Sequence, residues 1–230
     1  MADAAVSGAA AAAAGYHSQM PLRRSAVVRS VRQALNSLVP LGARDSLLVI
    51  LALVAISGCD QAPRHGIVLD PASVAPPLVL ARANGAPFEL AAQRGRAVLI
   101  YFGYTHCPDV CPTVMADWAR ARRALGADTA RVTFAFVSVD PGRDTPMLTQ
   151  AYARQFDSAF VGLAMTDADF ARITRDWGIS AYPEADPRTK EYSVAHPAHT
   201  FAVDAKGRLR LMVPPGVSAN DLADDLRRLR

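Results

Sequence analysis

"AVLIYFGYTHCPDVCPT" (residues 97–113) joins an unbroken apolar run to two cysteines. In residues 97–104, AVLIYFGY, every position but the glycine is apolar or aromatic. A run without alternation predicts a strand buried on both faces, as in a sheet covered by helices. Cys107 and Cys111 follow at once. Val114, Trp118, Ala121 and Leu125 then recur at helical spacing until Gly126, which predicts a helix over 113–125. Pro108 and Pro112 are tolerated at or before a first turn, where a missing N–H costs least.

Outward from that stretch the chain alternates in the same way. Residues 132–139, VTFAFVSV, predict a second buried strand. Thr145 with Pro146 opens a helix to residue 156, and Thr166 opens another that Gly178 closes. Residues 191–195 and 199–204, a Lys206-Gly207 turn and 208–213 predict a β-rich stretch ending in a hairpin. A last helix starts at Ser218. Ahead of the first buried strand, residues 78–90 hold two short apolar runs around Asn84-Gly85, a hairpin signal. Residues 180–192, SAYPEADPRTKEY, suit a long turn or a recognition element. This order predicts an α/β fold: a central mixed sheet with helices on both faces, an N-terminal hairpin and an extra hairpin near the C-terminus. A cysteine pair directly after the first buried strand, at a helix start, is the thioredoxin-like arrangement.

The 230 residues allow one good-sized domain and something extra, and 51% hydrophobic content is globular. Residues 1–59 carry five arginines against Asp3 and Asp45, so the basicity sits in the leader. Residues 60–230 balance 20 Lys and Arg with 19 Asp and Glu. No basic patch is evident in the sequence, and nucleic acid is not an expected partner. An arginine-rich stretch runs into SLLVILALVAISG and then Cys59, the form of a secretory signal whose core is too short to span a bilayer as a helix. ISGC at 56–59 resembles the cleavage box of bacterial lipoproteins, which makes Cys59 the lipidated first residue of the mature protein. Asp60 behind it resembles a signal for retention in the inner membrane. The expected layout is therefore a leader and signal over 1–58, a lipidated Cys59 with a flexible tether over 59–77, and a folded domain over 78–230. Residues 1–19, with the run Ala9–Ala14, fit no secretory signal, so Met20 is a candidate true start.

With Cys59 lipidated, the folded body has two thiols, in an oxidising or redox-managed compartment. Two cysteines one helical turn apart place both sulfurs on one side, and a helix N-terminus favours thiolate over thiol. Three readings stay open on the residues alone: a redox couple, two ligands of a metal, or a disulfide closing a small loop. The dithiol oxidoreductases of this fold use Cys-x-x-Cys, one residue shorter. Two soft thiolates suit Cu(I), whereas structural zinc wants four ligands that the body does not offer. A third ligand would be one of His65, His106, His196 and His199. His65 falls in the tether, and His106 is expected to point away from the sulfurs. His196 and His199, three apart on an extended chain, face opposite sides, so at most one reaches the cysteines.

GYTHCPDVCPT (103–113), SVDPGRDTP (138–146) and YSVAHPAHTFAVDAKGR (192–208) together resemble the Sco family. These are membrane-tethered thioredoxin-fold copper proteins that serve assembly of the binuclear copper site of cytochrome c oxidase. The resemblance spans residues 78–229. It implies that Cys107, Cys111 and His196 bind one copper per chain, as Cu(I) and also as Cu(II). It further implies that Asp140 supports the site from nearby; Arg143, in PGRDTP, is expected to support its loop rather than an oxyanion. Ala195 and Pro197 stand where the family has Asp and Ser or Thr, which bears on what orients His196. The expected partners are the copper-site subunit of the oxidase, other copper chaperones or thiol reductases, and the membrane through the lipid anchor. The expected location is the periplasmic face of the inner membrane. The alternative role is a thiol–disulfide reductase, with Cys107 and Cys111 as its catalytic pair, that keeps the oxidase copper-ligand cysteines reduced. A peroxidase of the peroxiredoxin type lacks its usual motif here.

Overall fold

A computed structural model describes residues 65–185 and 191–229. The leader, Cys59 and the Met20 start lie outside the described residues. The strands are β1 (Ile67–Val74), β2 (Val79–Ala81), β3 (Pro87–Glu89), β4 (Ala97–Gly103), β5 (Val132–Ser138), β6 (Val161–Ala164), β7 (Tyr182–Ala185), β8 (Tyr192–Ala195), β9 (Thr200–Val203) and β10 (Arg208–Val213). The helices are α1 (Val110–Leu125), α2 (Pro146–Phe156), α3 (Asp167–Asp176) and α4 (Ala219–Arg228).

Six strands form one mixed sheet in the order β1-β10-β9-β4-β5-β6. β4, β5 and β6 run parallel, and β9, β10 and β1 add antiparallel on the other side of β4. Every residue of β4 and β5 is buried, as their unbroken apolar runs require. Alternation along β4 sends neighbouring side chains to opposite faces. Tyr101 meets Trp118 of α1 and Phe136, with ring centroids 6.2 and 6.1 Å apart. Phe102 turns the other way, to Trp177 after α3 and to Phe201. α4 packs on α1, and Tyr152 of α2 packs on Phe136. Helices therefore cover both faces. The described residues form a compact unit of their own, and the whole core cluster, Leu78 to Leu229, lies within it.

The helix starts follow the local chemistry. Thr145 accepts from the Leu148 N–H with Pro146 in the first turn, Thr166 and Asp169 form a capping box, and Ser218 caps α4. Among the described residues no helix is long and apolar enough to cross a membrane.

Three expectations change. Residues 67–74, read as part of a flexible tether, form β1. Its side chains are mostly exposed on both faces, so no periodicity marks it, and backbone pairing to β10 holds it. The Asp225 carboxylate adds bonds from the His65 and Gly66 N–H groups at 3.0 and 2.9 Å. α1 begins at Val110, three residues ahead of the expected 113, which puts Cys111 in its first turn. The expected C-terminal hairpin is formed by β9 and β10, and β9 pairs with β4 and so completes the sheet. β7 lies inside the stretch read as a turn or recognition element and pairs with β8, the strand expected over 191–195, and β6 was too short for its periodicity to be seen.

α2 lies directly on β6. A Cβ at Gly162 would fall 2.2 Å from the Thr149 carbonyl oxygen, so only glycine fits. The Gln150 amide nitrogen donates to the Phe160 carbonyl at 2.9 Å, and its Oε1 accepts from the Gly162 N–H at 3.1 Å.

Candidate metal centre

Cys107 stands in the turn between β4 and α1, half-buried, and Cys111 in the first turn of α1 is fully buried; both thiols are free. The Cys111 N–H donates to Cys107 Sγ at 3.3 Å, so a helix-start amide points at that sulfur. Tyr101 donates its hydroxyl to Cys111 Sγ at 3.6 Å. The turn is tied down by the buried Asp144, whose carboxylate accepts from Thr105 N at 2.9 Å, Thr105 Oγ1 at 2.5 Å and the Ser138 hydroxyl. Gly103 must be small: a Cβ there would meet Cys111 Sγ at 2.8 Å and Phe136 at 2.9 Å.

The third donor comes from the separate β7–β8 ribbon. His196 follows β8 directly, and its ring stands edge-on to Tyr101 and Tyr104, with centroids 5.9 and 5.5 Å away. Its Nε2 is 3.5 Å from Cys111 Sγ. Its Nδ1 is 3.1 Å from the Pro197 carbonyl oxygen. A carbonyl can only accept, so Nδ1 carries the proton and Nε2 keeps its lone pair toward the sulfurs. The departure from the family pattern at Pro197 is thus compensated by that residue's own backbone oxygen. The ligand atoms of Cys107, Cys111 and His196 lie within 4.8 Å of one another. With bonds of about 2.3 Å to sulfur and about 2.0 Å to nitrogen, a trigonal ion holds its donors roughly 3.7–4.0 Å apart. The three residues fit a soft ion of low coordination number.

The two thiols differ in charge. The Cys107 thiol is held far below the ordinary range, first by Cys111 as hydrogen-bond donor and then by the Cys111 and Asp109 amides. Cys111 is pushed up, first by its neighbour Cys107 and then by burial, so it keeps its proton. One exposed-side thiolate and one buried thiol share the site.

The loop 138–146 braces both halves. Besides Asp144, the buried Asp140 accepts from Arg143 Nε at 2.6 Å and from the Tyr192 hydroxyl at 2.7 Å. Arg143 also donates to the Tyr192 carbonyl at 2.9 Å and lies 3.7 Å over the Tyr192 ring and 5.7 Å over Tyr104. Its buried Nη2 finds no oxygen, so the ring faces serve it. Asp140 therefore acts at a distance, through Arg143 and the strand ahead of His196, and does not touch the three donors. Arg143 supports its loop, as expected. Sequence reasoning passed over Gly103, Tyr101, Tyr104, Asp144 and Tyr192. All five lie in or beside the quoted motifs, but only their tertiary contacts show what they do.

The other histidines lie apart. His106 is exposed and 3.7 Å from Asp144. It clusters with Asp140 and Asp144, but those carboxylates already accept from neighbouring side chains and backbone. His199 packs on Phe201, ring centroids 4.8 Å apart, on the opposite face from Cys111, and burial lowers its pKa. His65 sits beside Asp221 on α4.

Residues 68–230 match the SCO1/SenC family. An SCO2-like protein of Rickettsia prowazekii is 27% identical over 77% of this chain and 87% of its own. The copper-bound structure of Bradyrhizobium japonicum ScoI shares 32% identity over 69% of this chain and all of that one, with a TM-score of 0.63. The solution structure of apo Sco1 from Thermus thermophilus gives 31% identity, a TM-score of 0.66, and 76% and 100% coverage. The chain belongs to the SCO1/SenC family, and its thioredoxin-like mixed sheet is the Sco fold.

Proposed function

We propose that this protein is a metallochaperone. Cys107, Cys111 and His196 take up one copper ion and deliver it to the binuclear copper site in the copper-site subunit of cytochrome c oxidase during assembly. The observation that carries the reading is the convergence of two sulfurs and one imidazole nitrogen within 4.8 Å. Membership of a family in which ScoI has been solved with copper bound supports the choice of metal. Two thiolates and an imidazole hold Cu(I) trigonally, and an added ligand accommodates Cu(II). Cys107 is reachable from solvent, which exchange between proteins requires. The leader sequence supports a location on the periplasmic face of the inner membrane, with Cys59 as the lipid anchor.

A reductase reading draws on one observation, the pairing of a Cys107 thiolate with a protonated Cys111. Such a pair attacks a client disulfide through Cys107 and resolves the mixed disulfide through Cys111. The deciding experiment is an anaerobic copper titration of reduced residues 60–230, wild type and His196→Ala. One copper per chain, weakened more than about 100-fold in the variant while thiol–disulfide exchange is retained, supports the chaperone. No copper uptake by the wild type would leave the reductase.

A further inference from the structure

We infer that the end of the sheet opposite the metal centre carries a binding pocket for a phosphate-class oxyanion. An open cavity of about 460 Å³ lies there, lined among others by Arg82, Gln93, Arg96, Arg122 and Thr133. Val132 and Val161, the first residues of β5 and β6, form its floor. The cysteines stand beyond the other end of the strands; seven residues at about 3.3 Å each put the two sites on the order of 20 Å apart.

The lining holds three guanidinium groups and no carboxylate. Arg96 is exposed and has no acidic partner among the described residues, and Arg82 only stacks over Phe88, 5.1 Å from the ring centroid. Arg122 is the exception, bonded to Asp157 at 3.0 Å, so about two positive charges stay uncompensated. A neutral donor joins them. The buried Thr133 hydroxyl donates to Gln93 Oε1 at 3.0 Å, which leaves the Gln93 amide N–H groups free for a ligand. Through Arg82 the pocket continues into a groove beside α2 that ends at Arg154, likewise without an acidic partner among the described residues.

A doubly charged tetrahedral oxyanion matches two net charges and a set of forked donors, where a carboxylate would match one charge and use one fork. The cavity exceeds a bare phosphate, so it admits a substituent: a soluble phosphomonoester, or the phosphomonoester headgroup of phosphatidic acid. No part of this depends on the metal reading.

The test is an NMR titration of residues 60–230 with inorganic phosphate at constant ionic strength set by chloride. Saturable shifts at Gln93, Arg96 and Thr133, with the resonances around Cys107 unmoved, are expected. Arg96→Gln should weaken binding about tenfold and Arg82→Gln at least about threefold. Arg175→Gln, on α3, should leave it unchanged. Vesicles distinguish the source. Sedimentation with phosphatidic acid but not phosphatidylcholine vesicles, lost in Arg96→Gln and competed by phosphate, assigns a lipid headgroup; saturable phosphate binding without sedimentation assigns a soluble ligand. Shifts that grow linearly with phosphate, or that weaken equally in all three variants, overturn the proposal.

Discussion

Cys107 and Cys111 share one strand-to-helix turn, whereas His196 arrives 85 residues after Cys111, at the end of the two-stranded β7–β8 ribbon. The cysteine half is built almost entirely from local geometry: strand end, turn, helix start, and one buried carboxylate beneath. The histidine half depends on a chain of side chains, from Asp140 through Arg143 to Tyr192, that ties the ribbon to the loop after β5. The difference teaches where each half is vulnerable. Local geometry fails only when the backbone or its immediate packing is disturbed, while a distal ligand fails whenever its tether loosens. Both braces come from one nine-residue loop, so the loop registers the two halves against each other.

Four experiments press on that contrast, from the largest expected effect to the smallest. Gly103→Val attacks the local half: a branched side chain has no room beside Cys111 Sγ. It should cost about 1–3 kcal/mol of stability in denaturant melts and displace the sulfur enough to cut copper affinity by roughly two orders of magnitude. A variant that melts and binds like wild type would mean that the turn is far softer than described.

Arg143→Gln attacks the distal half. It leaves the Asp140 carboxylate short of its charged partner, at a cost of about 1–3 kcal/mol, and should weaken copper about tenfold while the reactivity of Cys107 toward alkylating agents stays unchanged. Equal loss of both properties would show that the halves are not separately held.

The next test reads the local half alone. Cys107 has a depressed pKa, so it is thiolate at neutral pH and gains its proton only in strong acid. Its iodoacetamide reaction in the metal-free protein should therefore be nearly flat between pH 8 and pH 5. An ordinary thiol slows about tenfold per pH unit over that range. Cys111, raised and buried, should stay unlabelled until the protein unfolds. Mass spectrometry of the labelled peptides checks both statements.

His199→Ala should change least, with copper affinity within about twofold, because its ring packs on Phe201 away from the sulfurs. A loss matching that of His196→Ala would exchange the two assignments.

The cysteine half was legible in the sequence for the same reason that it is robust. An unbroken apolar strand, two cysteines and an apolar helical repeat are contiguous, so local rules reach the whole of it. Even there the helix start was misjudged, since Pro112 masked a first turn that begins at Val110. The histidine half was legible only through the resemblance, because alternation along an extended chain separates His196 from His199 without saying which faces the cysteines. Asp140 was identified but its reach was not: that depends on Arg143 and Tyr192 meeting across 49 residues. The edge strands β1 and β6 were missed because backbone pairing and one helix crossing define them, and neither leaves a hydrophobic period.

The outer margin of β6 has a consequence of its own. A terminal strand normally presents unpaired amides and carbonyls, a template onto which a second polypeptide can add and begin a fibril. At Phe160 and Gly162 the Gln150 carboxamide occupies those groups much as a further strand would. The glycine that lets α2 lie so close thus also seals this margin, and the sheet stops growing there by chemistry rather than by chance.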